Sequence, residues 1–155
     1  MKKAPFLLLT LLSLSTAVVA QNRVADSAQV AQALIELLRI CKQVDSVDSK
    51  TSELGIFYKA APYIVYRGED TVRKWKDAAD YTKAEDKKGV DEVCFRINQA
   101  VKQDEHYRFT GYRSETESEG TWHVITVAYR KKGVERKADF AFLLIKGRYR
   151  LGDID

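Results

Sequence analysis

The chain reads as an α+β domain in which helices come first and a curved antiparallel sheet closes the sequence. Two observations carry this reading. Through the first two thirds, apolar residues recur at three- and four-residue spacing, as along one helix face, whereas from Tyr107 onward they alternate every second residue, as along a strand. The alternating runs are also joined by short polar links containing Gly, so successive strands pair as neighbours in a meander.

A segment of different character precedes the domain. Lys2 and Lys3 lead into an apolar run from Phe6 to Leu14, followed by small residues ending Val18-Val19-Ala20 before Gln21. This is the charged, apolar and small-residue order of a secretory signal peptide, too short for a permanent membrane helix. Residues 1–20 are therefore expected to be removed, and 21–155 to form one exported domain, periplasmic or secreted. No Cys follows the apolar run directly and no later segment reaches eighteen apolar residues in a row, so no lipid anchor and no integral membrane segment are expected after cleavage.

The remaining 135 residues suffice for one core without a metal or many disulfides. Val30, Ala33, Leu34, Leu37, Leu38, Cys41 and Val44 make one apolar stripe, predicting a helix from about Ser27 to Val44 with Asp26 or Ser27 as cap. Asp45 to Ser52 has no apolar period and is expected to be a loop. Leu54, Phe57, Tyr58 and Ala61 suggest a short second helix stopped by Pro62, which lacks the N–H that would continue it. Tyr63 to Tyr66, aromatic and β-branched, predicts a short strand. Asp70 is placed to cap a third helix carrying Val72, Trp75 and Ala79. Asp80 to Gly89 is charged and expected to loop outward. Val90, Val93, Cys94, Ile97 and Val101 predict a fourth helix ending near Gln103 or Asp104. Four strands follow, beginning near Tyr107, Thr121, Ala138 and Arg148.

This order resembles the NTF2-like superfamily, also called SnoaL-like or cystatin-like. The matching residues are the amphipathic first helix, the passage Tyr66-Arg67-Gly68-Glu69-Asp70-Thr71-Val72-Arg73, and the closing hairpin FAFLLIKGRYRLGDID. The resemblance implies a cone-shaped sheet wrapped by helices, a pocket in the cone and frequent dimerisation through the outer face of the sheet. The superfamily hosts isomerases, dehydratases, hydrolases and proteins without catalysis, so the fold does not select a function. No Asp or His stands in the first helix stripe or in Tyr63 to Tyr66, so the acid and base of the family's isomerases have no counterpart there.

Charge excludes little. Without Lys2 and Lys3 the chain has 24 basic against 22 acidic side chains, which selects no particular partner. Eight Lys or Arg fall between Arg130 and Arg150, which read first as solvated hairpin turns with basic residues along sheet margins and, as the alternative, as a surface for an anion, a polysaccharide or a lipid headgroup. Nucleic acid is not expected, because no helix interleaves basic and aromatic residues. The sequence holds no GxSxG, no HExxH and no Gly-rich phosphate loop, and nothing in it calls for a cofactor.

Candidate site residues come from strand parity. With Lys146-Gly147 as a two-residue turn, Leu144 faces Tyr149, Phe142 faces Leu151 and Phe140 faces Asp153. A two- or four-residue turn near Lys131 to Gly133 puts His123, Ile125, Val127 and Tyr129 on that same inner face, and reflection about Glu119 adds Tyr107, Phe109, Gly111, Arg113 and Glu115. The expected ligand pocket is Tyr107, Phe109, Tyr129, Phe140, Phe142 and Tyr149. In the four-residue register Glu115, His123, Phe140 and Asp153 form a row at one end. His123, Asp153 and Glu115 are then the candidates for acid–base chemistry, with His123 titrating near neutrality. A metal site built from His106, His123, Asp139 and Asp153 fails, since parity puts His106 and Asp139 on the other face. That face carries Trp122, Val124, Ala141, Leu143 and Ile145, too apolar for water alone, and the resemblance favours a homodimer through Trp122, Val124 and Leu143 as its cover.

Two function classes result: a non-catalytic domain binding a small apolar ligand or a protein partner, and a small hydrolase or isomerase using His123. The absence of a nucleophile motif favours the first. Cys41 and Cys94, an even pair on two buried stripes, are either a disulfide or two packed thiols. As a disulfide they would stabilise the fold by roughly 4 kcal/mol in the chain-entropy model. For the leader, intact-mass analysis of protein from the producing cells should give Gln21 as the first residue, a residue that can cyclise to pyroglutamate. Retention of Met1 would refute the cleavage.

Overall fold

In the computed structural model the chain is described over residues 8–42, 55, 57–65, 77–101 and 106–155. Helix α1 runs Leu8–Lys42. A 3₁₀ turn follows at Tyr58–Tyr63, then helix α2 at Ala84–Val101. The sheet comprises β1 (Arg108–Glu117), β2 (Gly120–Lys131), β3 (Val134–Ile145) and β4 (Arg148–Ile154), in the order β1-β2-β3-β4 with every neighbouring pair antiparallel. The architecture is α+β with an open four-stranded sheet, and among the described residues no helix is long and apolar enough to cross a membrane.

The elements differ from expectation where local chemistry overrides the pattern. Helix α1 begins at Leu8 rather than near Ser27, because neither Pro nor Gly interrupts the chain from Phe6 to Lys42. Asp26 and Ser27 accordingly lie inside the helix, not at its cap. Pro62 sits within the 3₁₀ turn instead of stopping a helix: Ala60 N–H donates to Phe57 O and Ile64 N–H to Ala61 O, and the turn closes without a proton from Pro62. The expected strand at Tyr63 to Tyr66 is a single parallel bridge between Ile64 and Leu151, supported by Val65 N–H donating to Leu151 O at 2.8 Å. Ala79 is not helical; its N–H donates to Ile64 O at 2.7 Å. Val72 and Trp75, the loop at Asp45 to Ser52, Leu54 and the helix ends at Val44, Gln103 and Asp104 lie outside the described residues.

Ala84 to Gly89, expected as loop, is the first part of α2. The Asp80 carboxylate accepts from Thr82 N–H and Thr82 Oγ1–H, while the Asp86 carboxylate reaches back to accept Asp80 N–H at 2.8 Å. Glu85 and Asp86 in the first turn also suit the positive end of the helix dipole, so the charges begin the helix rather than oppose it. These gains outweigh Gly89, which costs about 1 kcal/mol within a helix.

The core lies between the two helices and one sheet face. Val30, Leu34, Leu37, Leu38 and Cys41 of α1 and Val90, Val93, Cys94 and Ile97 of α2 pack against Ile125, Val127, Phe140, Phe142 and Leu151. Lys132-Gly133 and Lys146-Gly147 form the two-residue turns of the β2–β3 and β3–β4 hairpins, with φ of 54° and 78° in the first and 51° and 75° in the second. Such double positive-φ turns match the natural strand twist, and Gly at the second position removes half their steric cost.

Four register details revise the expected rows. The two-residue turn at Lys132-Gly133 pairs His123 with Phe142, not Phe140. The β1–β2 turn is Ser118-Glu119, so Ser114 faces His123 while Glu115 faces Trp122; Gly111, Arg113 and Glu115 therefore lie on the outer face. An extra residue at Thr110 restores Phe109 to the inner face, opposite Val127. A second bulge at Gly152 pairs Asp153 with Ala141 and Ile154 with Phe140, which turns Asp153 outward. The expected Glu115–His123–Phe140–Asp153 row does not form.

On the outer face Val124, Leu143 and Ile145 are 5%, 3% and 7% exposed within one chain, and Val65 packs on Leu143 and Ile145 beside Trp122. Their burial needs no second copy. Truncating the filled inner face should be costly: Phe142→Ala is expected to lower the free energy of unfolding in urea by about 3–5 kcal/mol, and Leu144→Ala, at a half-exposed position, by less than about 0.5 kcal/mol. Equal losses would contradict this packing.

Candidate functional site

A group of polar side chains supplied by four elements lies at the end of the sheet near the β3–β4 turn. His123 projects from the inner face of β2 and is 6% exposed. Tyr112 of β1 faces Ile125, one diagonal step away, and its hydroxyl lies 2.7 Å from His123 Nδ1. Tyr149 of β4, opposite Leu144, leans across β3 so that its ring meets the imidazole edge to face at 4.9 Å. The Tyr149 hydroxyl donates to Asp26 Oδ1 on α1 at 2.9 Å. A cleft of about 440 Å³ opens on this group, lined by Asp26, Glu119, Gly120, Thr121, His123, Leu143, Leu144, Ile145 and Tyr149.

Electrostatics follow from burial. Desolvation lowers the His123 pKa, with the Asp26 charge opposing it, so the ring is neutral near neutral pH. The neutral ring shares a hydrogen bond with the Tyr112 hydroxyl at Nδ1, in which either group can be the donor. Burial and the hydrogen bond to Asp26 push the Tyr149 phenol upward, so it remains a donor.

Only part of the expected site is here. Asp153 is exposed on the other face and its carboxylate accepts from its neighbour Ile154 N–H; Glu115 pairs with Arg113 at 2.8 Å. Neither reaches His123, whose nearest acidic influence is Asp26. The six expected pocket residues do not share one cavity either. Phe140 and Phe142 have no exposed surface; Tyr107 and Phe109 stack edge to face at 6.0 Å, with Lys42 Nζ 5.0 Å from the Tyr107 ring; Tyr129 lines a separate cleft of about 430 Å³ with His106, Arg108, Ala128, Arg130 and Glu135. Tyr149 alone of the six lines the His123 cleft. Sequence reasoning missed Asp26, taken as a cap, and Tyr112, assigned by parity to the outer face; counting the β1–β2 turn as two residues would have found Tyr112.

Elsewhere, Asp139 is held by Arg113 at 2.6 Å and Thr126 at 2.7 Å on the outer face, and among the described residues no group of three His, Cys, Asp or Glu is placed to hold a metal ion. The basic stretch is partly engaged within the chain. Glu135 pairs with Arg108, Lys146 with Asp77, and Arg150 donates to Pro62 O. No protein-family model, curated protein or solved structure matches this chain.

Because the folded-state pKa of His123 is depressed, the unfolded chain binds its proton more readily. Stability from this group is complete above about pH 6.5 and is lost as the pH falls through the depressed value. Thermal unfolding followed from about pH 8 to about pH 5 should show that slope in the parent protein and a weaker one in His123→Gln. An unchanged slope would mean that His123 does not titrate out of this environment.

Proposed function

We propose that the chain is an exported, non-catalytic binding domain of NTF2-like type, which takes a small ligand in the cleft at His123 and Tyr149. The observation that carries this reading is the convergence of Asp26, Tyr112, His123 and Tyr149 from four elements beside an apolar wall of Leu143, Leu144 and Ile145. Binding sites pair a mostly apolar wall with a few placed polar groups. The ligand that suits it has a short aliphatic portion for Leu144 and a hydrogen-bonding group for the His123 ring and the Asp26 carboxylate.

Two features support binding over turnover. The middle of the inner sheet face is filled by Phe140 and Phe142, neither with any exposed surface, so side chains occupy the space that an interior chamber would take there. The hydroxyl lining the cleft nearest to a nucleophile's role, Thr121 Oγ1, is shared with Thr116 at 3.3 Å instead of with His123. The larger cleft beside Phe57 and Phe95, about 500 Å³, is less suited: Tyr81 is bonded to Asp91, and Lys87 lies over the Tyr81 ring, so its polar groups are already spent on each other.

A fragment screen by heteronuclear NMR tests the reading. Binders should shift resonances of Asp26, Thr121, His123, Leu144 and Tyr149, and Tyr149→Phe should weaken them several-fold, the worth of about one hydrogen bond. Shifts confined to other surfaces would overturn the assignment. Turnover of any fragment, abolished in a folded His123→Ala variant, would replace binding with acid–base catalysis.

A further inference from the structure

Cys41 and Cys94 stand apart from the cleft, and nothing in the proposed binding uses them. Both are completely buried, Cys41 on the α1 stripe beside Leu37 and Leu38, Cys94 on the α2 stripe beside Val90 and Ile97. They are 53 residues apart in sequence, yet their sulfur atoms lie 2.7 Å apart as thiols. Since a bonded pair is separated by about 2.05 Å, the helices already hold the side chains within an ångström of closure. Two helices brought together by apolar stripes alone have no reason to align their only cysteines tip to tip.

We propose that this pair is a built disulfide site, closed when the chain folds under oxidising conditions and joining α1 to α2 through the core. The inference rests on the reading of the protein as exported only for its cellular setting, because the geometry holds wherever the chain folds. Closure breaks two S–H bonds and forms one S–S bond, releasing two protons. The two electrons pass to the disulfide of an exchange partner, oxidised glutathione or a protein dithiol oxidant, which becomes two thiols. One cysteine attacks that partner to form a mixed disulfide, and the other displaces the partner's remaining thiolate.

The surroundings fix the order of events. The Cys41 thiol beside it, together with burial, pushes the Cys94 thiol up, and neither sulfur meets solvent, so neither can attack an external oxidant once the helices are packed. The first exchange with the partner is therefore made before α1 and α2 close, the bond between the two cysteines forms as the helices bring them together, and it is shielded afterwards. It is a staple and not a switch.

The test is refolding of the reduced, denatured protein in a mixture of oxidised and reduced glutathione. The refolded chain should weigh two hydrogen masses less than the reduced one, resist alkylation in denaturant without reductant, and keep its bond in reduced glutathione until denaturant is added. Reduction should lower Tm by roughly 10 °C, and a C41A/C94A double variant should show no response to reductant, which separates loss of the bond from loss of packing. Alkylation of both cysteines, or lasting glutathione adducts, would overturn the proposal. A bond closed on refolding but absent from protein taken from the producing cells would leave the staple standing and count against export instead.

Discussion

Everything in this molecule depends on covering one face of a four-stranded sheet. Ile125, Val127, Phe140, Phe142 and Leu151 present an apolar surface that cannot be left in water, and the stripes of α1 and α2 are the surfaces that cover it. At about 25 cal/mol per Å² of apolar area, burial on this scale is the largest favourable contribution to the fold. It also determines where chemistry can occur. With two phenylalanines filling the middle, His123 sits where the cover runs out, hydrogen-bonded to Tyr112 at Nδ1 and packed edge to face on Tyr149, whose hydroxyl donates to Asp26. A lone imidazole at 6% exposure would be costly; one bonded to Tyr112 and stacked on Tyr149 is not.

The outer face meets the same demand by different means. Toward the β3–β4 turn, Val65 packs on Leu143 and Ile145. Further along, the side chains are charged and paired, Arg113 with Asp139 and Arg108 with Glu135 across strands, and Arg113 also with Glu115 within β1. Thr126 and Arg113 hold the Asp139 carboxyl below its ordinary range, so these contacts are strongest while the carboxylate is ionised. Exposed pairs of this type contribute about 1 kcal/mol or less each, and their role is to pin strand register as much as to stabilise.

Most of the fold was legible in the residues, and the limits have physical causes. The period-two alternation and the turn at Lys146-Gly147 specified four consecutive strands, and the stripes through Leu34 and Ile97 specified which helix faces are buried. The turn near Lys131 to Gly133 stays open between two and four residues in the sequence, and the structure places it at Lys132-Gly133. What strand alternation cannot carry is a single inserted residue. Thr110 and Gly152 each add one, and each reverses the faces of everything beyond it, which is why Asp153 left the expected row. Helix α2 began early because Asp80 and Asp86 exchange hydrogen bonds with the backbone, a capping arrangement that a count of charges reads as loop. The candidate site was half legible: His123 and Tyr149 followed from parity, whereas Asp26 reaches them across 123 residues of sequence, a distance that no local pattern spans.

That long reach has a consequence for how the molecule is made. Synthesis delivers α1 first, and part of the surface it must cover comes much later, since Tyr149 of β4 follows Asp26 of α1 by 123 residues. The sheet can assemble from adjacent hairpins as soon as its own residues are available, at small loop-closure cost. The α1 stripe draws on both near and distant sequence: the helix packs on α2 and on β2 and β4, so its apolar face is fully covered only once β4 has been made and has joined the sheet.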